Sequence, residues 1–522
     1  MTAWQLPPRP DLPQLRRQAK ELLQRARSGD PDALARFRAL PSHSSLDTRA
    51  LADTPLALHD AQSVIAREYG FGSWNALREH VEELTMELGV ACDELVQAAT
   101  DGRRDRAERI LALQPATATA SFHAALVLGN AGEVAARLTR DPSLATARGG
   151  VRAWEPLHYV CYTSLTRDSA ERERGLVIAA RELLSRGADP NLRFPWKHHD
   201  VFRPVLWGAV CVVRSLPLAR ALLECGANAS DGVTLTLAAS GGDIAALDLL
   251  HEFGVDPDGP WATDGSTALY AMLQWSDRPE GARWLIDHGA SVDPVFAANG
   301  ETPLHAVAAR WGTDLADALV GRGADISRRR SDGRTPYEIA VLSGNDSVAE
   351  WLLAHGASGE VREVDRMVAA CSRGERAAAI AMMTARPALR EQIGPEHYDA
   401  LYRAAERNDT PALEALLSCG FDPDSGDESI GMNALHKAAM AGWPEAVRVL
   451  LAHGASVTAR DREFHATPLV CAAEGSRRPR PGSDHAEVGR ILFEAGSPAN
   501  WRQNGEPAGT IDEIITSWRR GG

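Results

Sequence analysis

A short phrase that ends a helix with glycine recurs along the chain and restricts its fold more than any other feature. The phrase has the form Leu-Leu-x-x-Gly-Ala-Asp, as in LLSRGADPN, LIDHGASVD and LLAHGASVT. Gly289, Gly323 and Gly356 are 34 and 33 residues apart, and Gly420 and Gly454 are again 34 residues apart. A period of this length indicates a repeat array, because a single globular core has no reason to repeat itself in sequence.

Each phrase carries residue types that end a helix and turn the chain. Glycine adopts the left-handed conformation that stops a helix, and the Asp, Asn or Ser that follows it favours a turn. A helix-starting phrase, clearest at Thr302-Pro303-Leu304-His305, recurs as EPLH, TALY, TPYE, NALH and TPLV. Threonine is a good N-cap, and proline is tolerated at the first helical position. The 20 residues from Pro303 to Gly323 leave room for two short helices.

These phrases resemble the ankyrin-repeat family, whose unit is a β-turn finger followed by a helix pair and whose signature is TPLHxA. The resemblance covers residues 90 to 500 and implies an all-α solenoid of about twelve helix-turn-helix units with β-turn fingers. The segments SLTRDSAERERG (164–175) and GSRRPRPGSDH (475–485) are predicted to be insertions in surface loops. A third insertion lengthens the finger between Gly187 and Pro204.

The two ends of the chain depart from the repeat. Residues 1–86 are predicted to form a small helical domain, with helices over 11–27, 61–69 and 74–84 and a loop over 41–58. The phrase AREYGFGSW resembles a leader segment that precedes ankyrin arrays in bacterial proteins. The array is predicted to occupy residues 87–500, and residues 501–522 a C-terminal capping segment, in which Thr510-Ile511-Asp512-Glu513 forms a capping box.

Composition argues against several classes of protein. The formal net charge of -14 disfavours nonspecific binding to nucleic acid. No stretch reaches the ~20 apolar residues of a membrane-spanning helix, and residues 1–9 lack the pattern of a signal peptide. We therefore expect a cytoplasmic protein that is not bound to a membrane, and we expect a monomer. The seven cysteines are scattered without a CxxC pair and are expected to be buried, reduced thiols.

The sequence contains no motif for catalysis. We find no nucleophile elbow, HExxH motif, Walker loop or dinucleotide-binding glycine motif, so we expect no catalytic residue and no cofactor. His198, His199 and Asp200 are adjacent in sequence and cannot easily close a tetrahedral site, so we expect no metal. The family resemblance implies a structural, hydrogen-bonding role for the histidines at the fourth position of the starting phrase, which are His158, His305 and His436.

An uneven distribution of tryptophan favours a surface that binds another protein. Seven of the thirteen tryptophans lie within residues 154–311, and Trp154, Trp207 and Trp284 are expected to pack in the core. The resemblance implies that fingers and first-helix ends line a concave face, and exposed Trp, Tyr and Arg are typical of binding hot spots. Packing against neighbouring fingers is the alternative for these side chains. The predicted partner-binding residues are Tyr162, Phe194, Trp196, Trp261, Trp275, Phe296 and Arg310.

Three functional hypotheses follow from these patterns. The first is a non-catalytic scaffold for protein–protein interaction, with an unidentified protein partner on the concave face. The second places an enzymatic or effector activity in residues 1–86, with the repeats as its targeting module. The third is binding of nucleic acid or a phosphorylated partner through two arginine clusters, for which solvated surface charge is the alternative. These clusters are Arg328–Arg330 with Arg334, and Arg477, Arg478 and Arg480.

Overall fold

The protein is described here by a computed structural model that divides into two compact units. Unit 1 comprises Met1–Ala238 and Asp243–Gly259, and unit 2 comprises Ala239–Gly242 and Pro260–Gly522. The residues that the structure describes are 4–7, 9–44, 46–166, 169–195, 202–259, 266–276, 278–297, 299–427, 430–476, 480–497, 502–503 and 506–507.

The first half of the described chain consists mainly of helices. A short antiparallel hairpin of β1 (Arg193–Pro195) and β2 (Phe202–Pro204) lies in the lengthened finger. The helices are α1 (Leu12–Arg27), α2 (Pro31–Phe37), α3 (Thr48–Ala52), α4 (Leu58–Glu68), α5 (Trp74–Thr85), α6 (Leu88–Thr100), α7 (Arg104–Leu113), α8 (Thr117–Ala120), α9 (Phe122–Leu128), α10 (Ala131–Arg140), α11 (Pro156–Cys161), α12 (Ala170–Ser185), α13 (Val205–Trp207), α14 (Leu216–Glu224), α15 (Val233–Gly241) and α16 (Ile244–Glu252).

The second half continues the same pattern. A second pair of strands joins β3 (Arg502–Gln503) to β4 (Glu506–Pro507). The helices are α17 (Ala268–Trp275), α18 (Pro279–Asp287), α19 (Pro303–Arg310), α20 (Thr313–Gly321), α21 (Pro336–Leu342), α22 (Asp346–Ala354), α23 (Glu363–Ser372), α24 (Arg376–Ala385), α25 (Tyr398–Glu406), α26 (Thr410–Ser418), α27 (Ala434–Ala441), α28 (Pro444–Ala452), α29 (Pro468–Gly475) and α30 (His485–Glu494).

The helices of unit 2 are arranged as stacked pairs in two layers. Each first helix packs on the next one, from α17 through α19, α21, α23, α25 and α27 to α29. Among the second helices, α18 packs on α20 and α20 on α22, and α24, α26, α28 and α30 form a similar row. Apolar residues on both helices of a pair thus meet the next pair, and the core runs along the stack. This architecture confirms the predicted all-α repeat solenoid.

The local sequence explains where each pair begins and ends. Helix α19 starts at Pro303, where Thr302 and His305 form a reciprocal cap at the first turn. Helix α20 ends before Gly323, whose φ of +97° is the left-handed conformation that glycine adopts at low cost. The Ala324 N–H then donates to the Leu319 carbonyl, which satisfies a carbonyl that the helix end leaves open. The predicted start and stop phrases therefore act as proposed.

The fingers of neighbouring units are tied together through their backbones. In one finger the Arg330 N–H donates to the Arg334 carbonyl at 3.0 Å, which closes a tight turn. The next residue, Ser331, donates its N–H to the Asn299 carbonyl of the preceding finger at 2.8 Å. These bonds fix the distance between adjacent fingers and hence the spacing of the side chains that they carry.

Helices α1 to α5 share a hydrophobic core of their own. Leu15, Leu22, Phe37, Leu51 and Val64 are among its buried members. The predicted helices over 11–27, 61–69 and 74–84 correspond to α1, α4 and α5 and are confirmed.

Two local predictions were wrong. The segment 41–58, expected to be a loop, contains helix α3, because Asp47 caps the Ala50 N–H and Leu51 is buried in the core. The insertion over 164–175 is a loop only in part, because Ser169 caps the Arg172 N–H and α12 begins at Ala170. Each N-cap lies among polar residues that read as loop, but the helix behind it packs an apolar side chain. The capping box at 510–513 lies outside the described residues.

Most, but not all, of the thiols are buried. Cys92, Cys161, Cys371, Cys419 and Cys471 are buried and free, as predicted. Cys225 is exposed, because it follows the last turn of α14, and this corrects the prediction for that residue. Among the helices that the structure describes, none is both long enough and apolar enough to cross a membrane.

Candidate partner-binding surface

The first helices of unit 2 leave one stripe of side chains unused by packing. Helix α25 buries Ala400, Leu401, Tyr402, Ala404 and Ala405, while Asp399, Arg403 and Arg407 are at least partly exposed. On the neighbouring helices the corresponding exposed positions are Arg310, at the end of α19, and Ser343, just after α21. We call the surface formed by Arg310, Ser343, Arg403 and Arg407 the first-helix face.

A finger of unit 2 adds an aromatic pair that is joined to a carboxylate. The rings of Tyr270 and Phe296 stack with centroids 4.8 Å apart and an angle of 23° between their planes. The Tyr270 hydroxyl donates to Glu301 Oε2 at 2.9 Å, and Arg330 donates to the other carboxylate oxygen at 2.6 Å. Burial raises the pKa of Tyr270, and the Glu301 charge raises it further. The phenol therefore stays protonated and acts as a hydrogen-bond donor. Phe296 itself is partly exposed.

Arg310 is held against the preceding unit. Its Nη1 donates to the Gln274 carbonyl, and its guanidinium lies 5.9 Å from the centroid of the Trp311 ring. Trp311 in turn donates its indole N–H to the Leu273 carbonyl at 2.9 Å. These contacts fix the orientation of the Arg310 side chain while leaving it partly exposed.

The predicted anchor Tyr162 is not an exposed residue. It is only 2% exposed and packs against Trp154 and Trp207, with ring centroids 5.9 and 5.6 Å away. Its hydroxyl donates to the Pro204 carbonyl at 3.1 Å. The prediction that Tyr162 points into a groove is therefore wrong, because the lengthened finger covers it. The predictions that Trp207 and Trp284 pack in the core are confirmed.

The other predicted anchors are placed only in part. The backbone of Phe194 lies in β1 and that of Trp275 in α17, but the side chains of both residues lie outside what the structure describes. Trp196 and Trp261 lie wholly outside the described residues, as does the His198–Asp200 segment. Phe296 and Arg310 are thus the predicted partner-binding residues whose side chains the structure shows to be partly exposed.

Two of the three histidines of the starting phrase bridge neighbouring turns, as predicted. His305 shares its Nδ1 with Thr302 and places Nε2 3.2 Å from the Arg334 carbonyl of the next finger. His436 repeats this arrangement, with Nε2 3.0 Å from the Ala466 carbonyl. Burial lowers the pKa of His305 to about 4, so the ring is neutral at pH 7. His158 is buried against Trp154, and burial also lowers its pKa to about 4.

The first arginine cluster is an ion-pair network and not a free basic patch. Arg328 pairs with Asp293 at 2.8 Å, and Arg330 pairs with both Glu301 and Asp332. Arg334, which was expected to be solvated, is only 4% exposed. Its guanidinium pairs with Asp365 at 2.8 Å across the neighbouring unit. The expectation of solvated charge is therefore wrong for Arg334. In the second cluster Arg480 is described and exposed, while Arg477 and Arg478 are not described.

The helices of residues 1–86 contact the first repeat through a buried carboxylate. Glu83 of α5 is buried and forms a two-bond ion pair with Arg109 of α7 at 3.0 and 3.1 Å. A cavity of about 410 Å³ lies beside this pair and is lined partly by Arg103 and Arg106. Both arginines pair with nearby carboxylates, at Asp101 and Glu94. The cavity therefore holds compensated charges, and this gives no observation in favour of the N-terminal enzyme hypothesis.

Sequence inspection overlooked Arg403, which the fold brings to the first-helix face. Arg403 lies in α25 at the position that Ala306 occupies in α19, counted from the helix start. The unit containing Arg403 lacks a clear starting phrase, so the position was not compared with its equivalents. An alignment of all units on their ending glycines would have shown an arginine at a position that is alanine in α19.

Comparison with known proteins supports the repeat assignment. A family model described as ankyrin repeats matches residues 291–363 and 401–500. Rabankyrin-5 of Homo sapiens is 26% identical over 216 residues, which is 39% of this chain and 18% of that protein. The E3 ubiquitin-protein ligase KEG of Arabidopsis thaliana is 27% identical over 301 residues, or 56% of this chain and 16% of that protein.

A third relative matches at slightly higher identity. The SH3 and multiple ankyrin repeat domains protein 2 of Homo sapiens is 30% identical over 206 residues, which is 38% of this chain and 11% of that protein. The chain thus spans less than a fifth of the length of each of these three relatives. All three are eukaryotic proteins.

Proposed function

Because the chain is an all-α solenoid that contains ankyrin repeats, we propose that it is a non-catalytic scaffold whose first helices and fingers bind a protein partner. Proteins built from such repeats generally mediate protein–protein interaction. The observation that carries the proposal is the division of labour within unit 2. The apolar positions of each helix pair are used for stacking, whereas Phe296, Arg310 and Arg403 remain partly exposed on neighbouring elements.

The composition of this surface suits a protein interface. Tyrosine, tryptophan and arginine are enriched at the residues that contribute most to protein binding. Hydrogen bonds and ring contacts already hold Arg310 and the Tyr270–Phe296 pair in place, so little side-chain entropy would be lost on binding. Phe194, Trp196, Trp261 and Trp275 stay part of the proposed concave binding face, while Tyr162 is removed from it.

The remaining features of the proposal concern the whole chain. We assign residues 1–86 to a helical leader domain that contacts the first repeat, residues 87–500 to the array and residues 501–522 to a capping segment. In this proposal the protein is cytoplasmic and monomeric, and has no catalytic residue, cofactor or metal. The leader phrase at 66–74 favours a bacterial source, and the finding that would contradict it is a genome of another kingdom that encodes this chain.

An affinity-capture experiment tests the scaffold. The full chain is immobilised and incubated with lysate of the source organism, and captured proteins are quantified by mass spectrometry. The double variant Phe296→Ala/Arg310→Ala is compared with Arg283→Ala/Ile380→Ala, a control of the same kind of side chains on second helices. Circular dichroism first checks that both variants fold.

The two outcomes are clearly separated. We expect at least one protein to be enriched about tenfold by the wild type and the control, and to be lost with the Phe296→Ala/Arg310→Ala variant, since a hot-spot residue costs about 1.4 kcal/mol or more. Equal capture by both variants would show that the partner binds elsewhere. Capture that requires only residues 1–86 would favour the effector hypothesis.

A further inference from the structure

Arg403 is a charged side chain on the first-helix face that the fold does not neutralise. It projects from α25 past α23 and donates from Nη2 to Ser343 Oγ at 3.2 Å, a residue 60 positions earlier in the chain. This bond is to a neutral hydroxyl. Within the described part of the chain, no carboxylate oxygen lies within 4.0 Å of the Arg403 guanidinium.

Other arginines of unit 2 at a similar depth differ in this respect. Arg330 and Arg334 are each bonded to carboxylates on two different segments. By contrast, Nε and Nη1 of Arg403 make no hydrogen bond within the described residues, and both atoms are still open to solvent. The donors that lack a partner are therefore accessible from outside the protein.

The surroundings of Arg403 are unfavourable for a cation. Burial lowers the pKa of Arg403, and the positive charges of Arg407 and Arg310 lower it further, while Asp399 and Glu301 act in the opposite direction. The side chain nevertheless keeps its charge at pH 7, because the ordinary pKa of arginine is above about 12. Partial burial of a charge without a counter-ion costs free energy, which an anion supplied from outside would recover.

The guanidinium geometry favours a carboxylate as that anion. Each of its two edges offers a pair of parallel N–H donors, and Nη2 contributes one hydrogen to each edge. The bond to Ser343 uses one Nη2 hydrogen, so one edge remains complete. A complete edge matches the two oxygens of a carboxylate in a bidentate pair.

We propose that Arg403, with Arg310 and Arg407 beside it, binds an aspartate or glutamate side chain in an acidic segment of the protein partner. The proposal rests on the proposed function, in which this face binds a protein, and adds the chemistry of the partner. A chain with a net charge of -14 repels acidic partners over most of its surface. A local positive site would therefore also select where an acidic segment docks.

Synthetic peptides provide a direct test of the full-length protein. The probe is a fluorescein-labelled 12-residue peptide of alternating Glu and Gly, and its controls carry Gln or phosphoserine in place of Glu. Binding is measured by fluorescence anisotropy for the wild type and for Arg403→Gln. The matched control is Arg448→Gln, an exposed arginine on second helix α28.

The expected result is a tenfold or greater preference of the wild type for the Glu peptide over the Gln peptide. Arg403→Gln should remove most of this preference, and Arg448→Gln should leave it unchanged. Equal binding of the Glu and Gln peptides, or equal losses in the two variants, would overturn the proposal. Tighter binding of the phosphoserine peptide would overturn the choice of a carboxylate.

The stability of a second variant distinguishes a binding role from a structural one. If Arg403 serves binding, Arg403→Met removes an uncompensated cation, and the Tm should stay the same or rise by about 2 °C. A fall of several degrees would show that the bond to Ser343 is a structural brace and would overturn the proposal. The scaffold can fail separately: capture of a lysate partner that survives Arg403→Gln sinks only the present inference.

Discussion

Asp365 is the acidic centre of a buried ion cluster in unit 2, and we expect Asp365→Asn to destabilise the protein strongly. The carboxylate is 1% exposed. It accepts two bonds from Arg334 at 2.8 and 3.3 Å and two from Arg362 at 3.1 and 3.0 Å. His397 adds a fifth bond from Nε2 at 3.0 Å, because its Nδ1 accepts the Gly394 N–H.

The magnitude follows from what the substitution leaves behind. An asparagine has no charge and turns an NH₂ group toward donors, so Arg334 loses its closest buried counter-ion. Breaking a buried ion pair by removing one partner costs about 3–5 kcal/mol. Arg334 keeps Asp332, and Glu396 lies 3.6 Å away, so we expect a loss near the lower limit, about 3 kcal/mol.

The control is Asp287→Asn, which removes the same group from the surface of the same unit. Asp287 is 43% exposed and pairs with Arg283 at 2.9 Å, and solvent screens such pairs. Urea unfolding at pH 7, followed by circular dichroism, compares the midpoints of both variants with the wild type. We expect a large shift for Asp365→Asn and a shift close to the measurement error for Asp287→Asn. Similar shifts would refute the argument that burial determines the cost.

Three further predictions concern pH, packing and thiols. Since burial lowers the folded pKa of His305 to about 4, the unfolded chain takes up its proton first, so stability should fall as the pH drops from about 6.5 to 4; wild type should lose about 2 kcal/mol more than His305→Gln between pH 7 and pH 5 in urea titrations. Gly475→Ala should destabilise the protein by about 2 kcal/mol, because its Cβ would lie 1.9 Å from the Met440 carbonyl oxygen, whereas Gly321→Ala, with nothing within 4 Å, should be stabilising in the same thermal melts. Ellman's reagent should label Cys225 first in the native protein, and rapid labelling of all seven thiols without denaturant would contradict the buried positions of the others.

The sequence by itself determined the features that depend on near neighbours in the chain. The helix of residues 12–27 was predictable because Leu15, Leu22 and Ala26 recur with the helical period. The ends of α19 and α20 were predictable because a Thr-Pro start and a glycine stop act within one turn of the residues that they affect. The bridging role of His305 and His436 followed from their place in the repeated phrase.

Only the tertiary structure decided which side chains are covered and which remain open. Tyr162 and Arg334 looked like surface residues, but each is buried by a segment 30 to 42 residues away in sequence, the lengthened finger in one case and the next repeat unit in the other. Arg403 looked unremarkable, yet stacking places it against Ser343, 60 residues earlier, without a carboxylate. The reason is physical: a helix cap depends on atoms within one turn, whereas burial and charge pairing depend on how successive units stack.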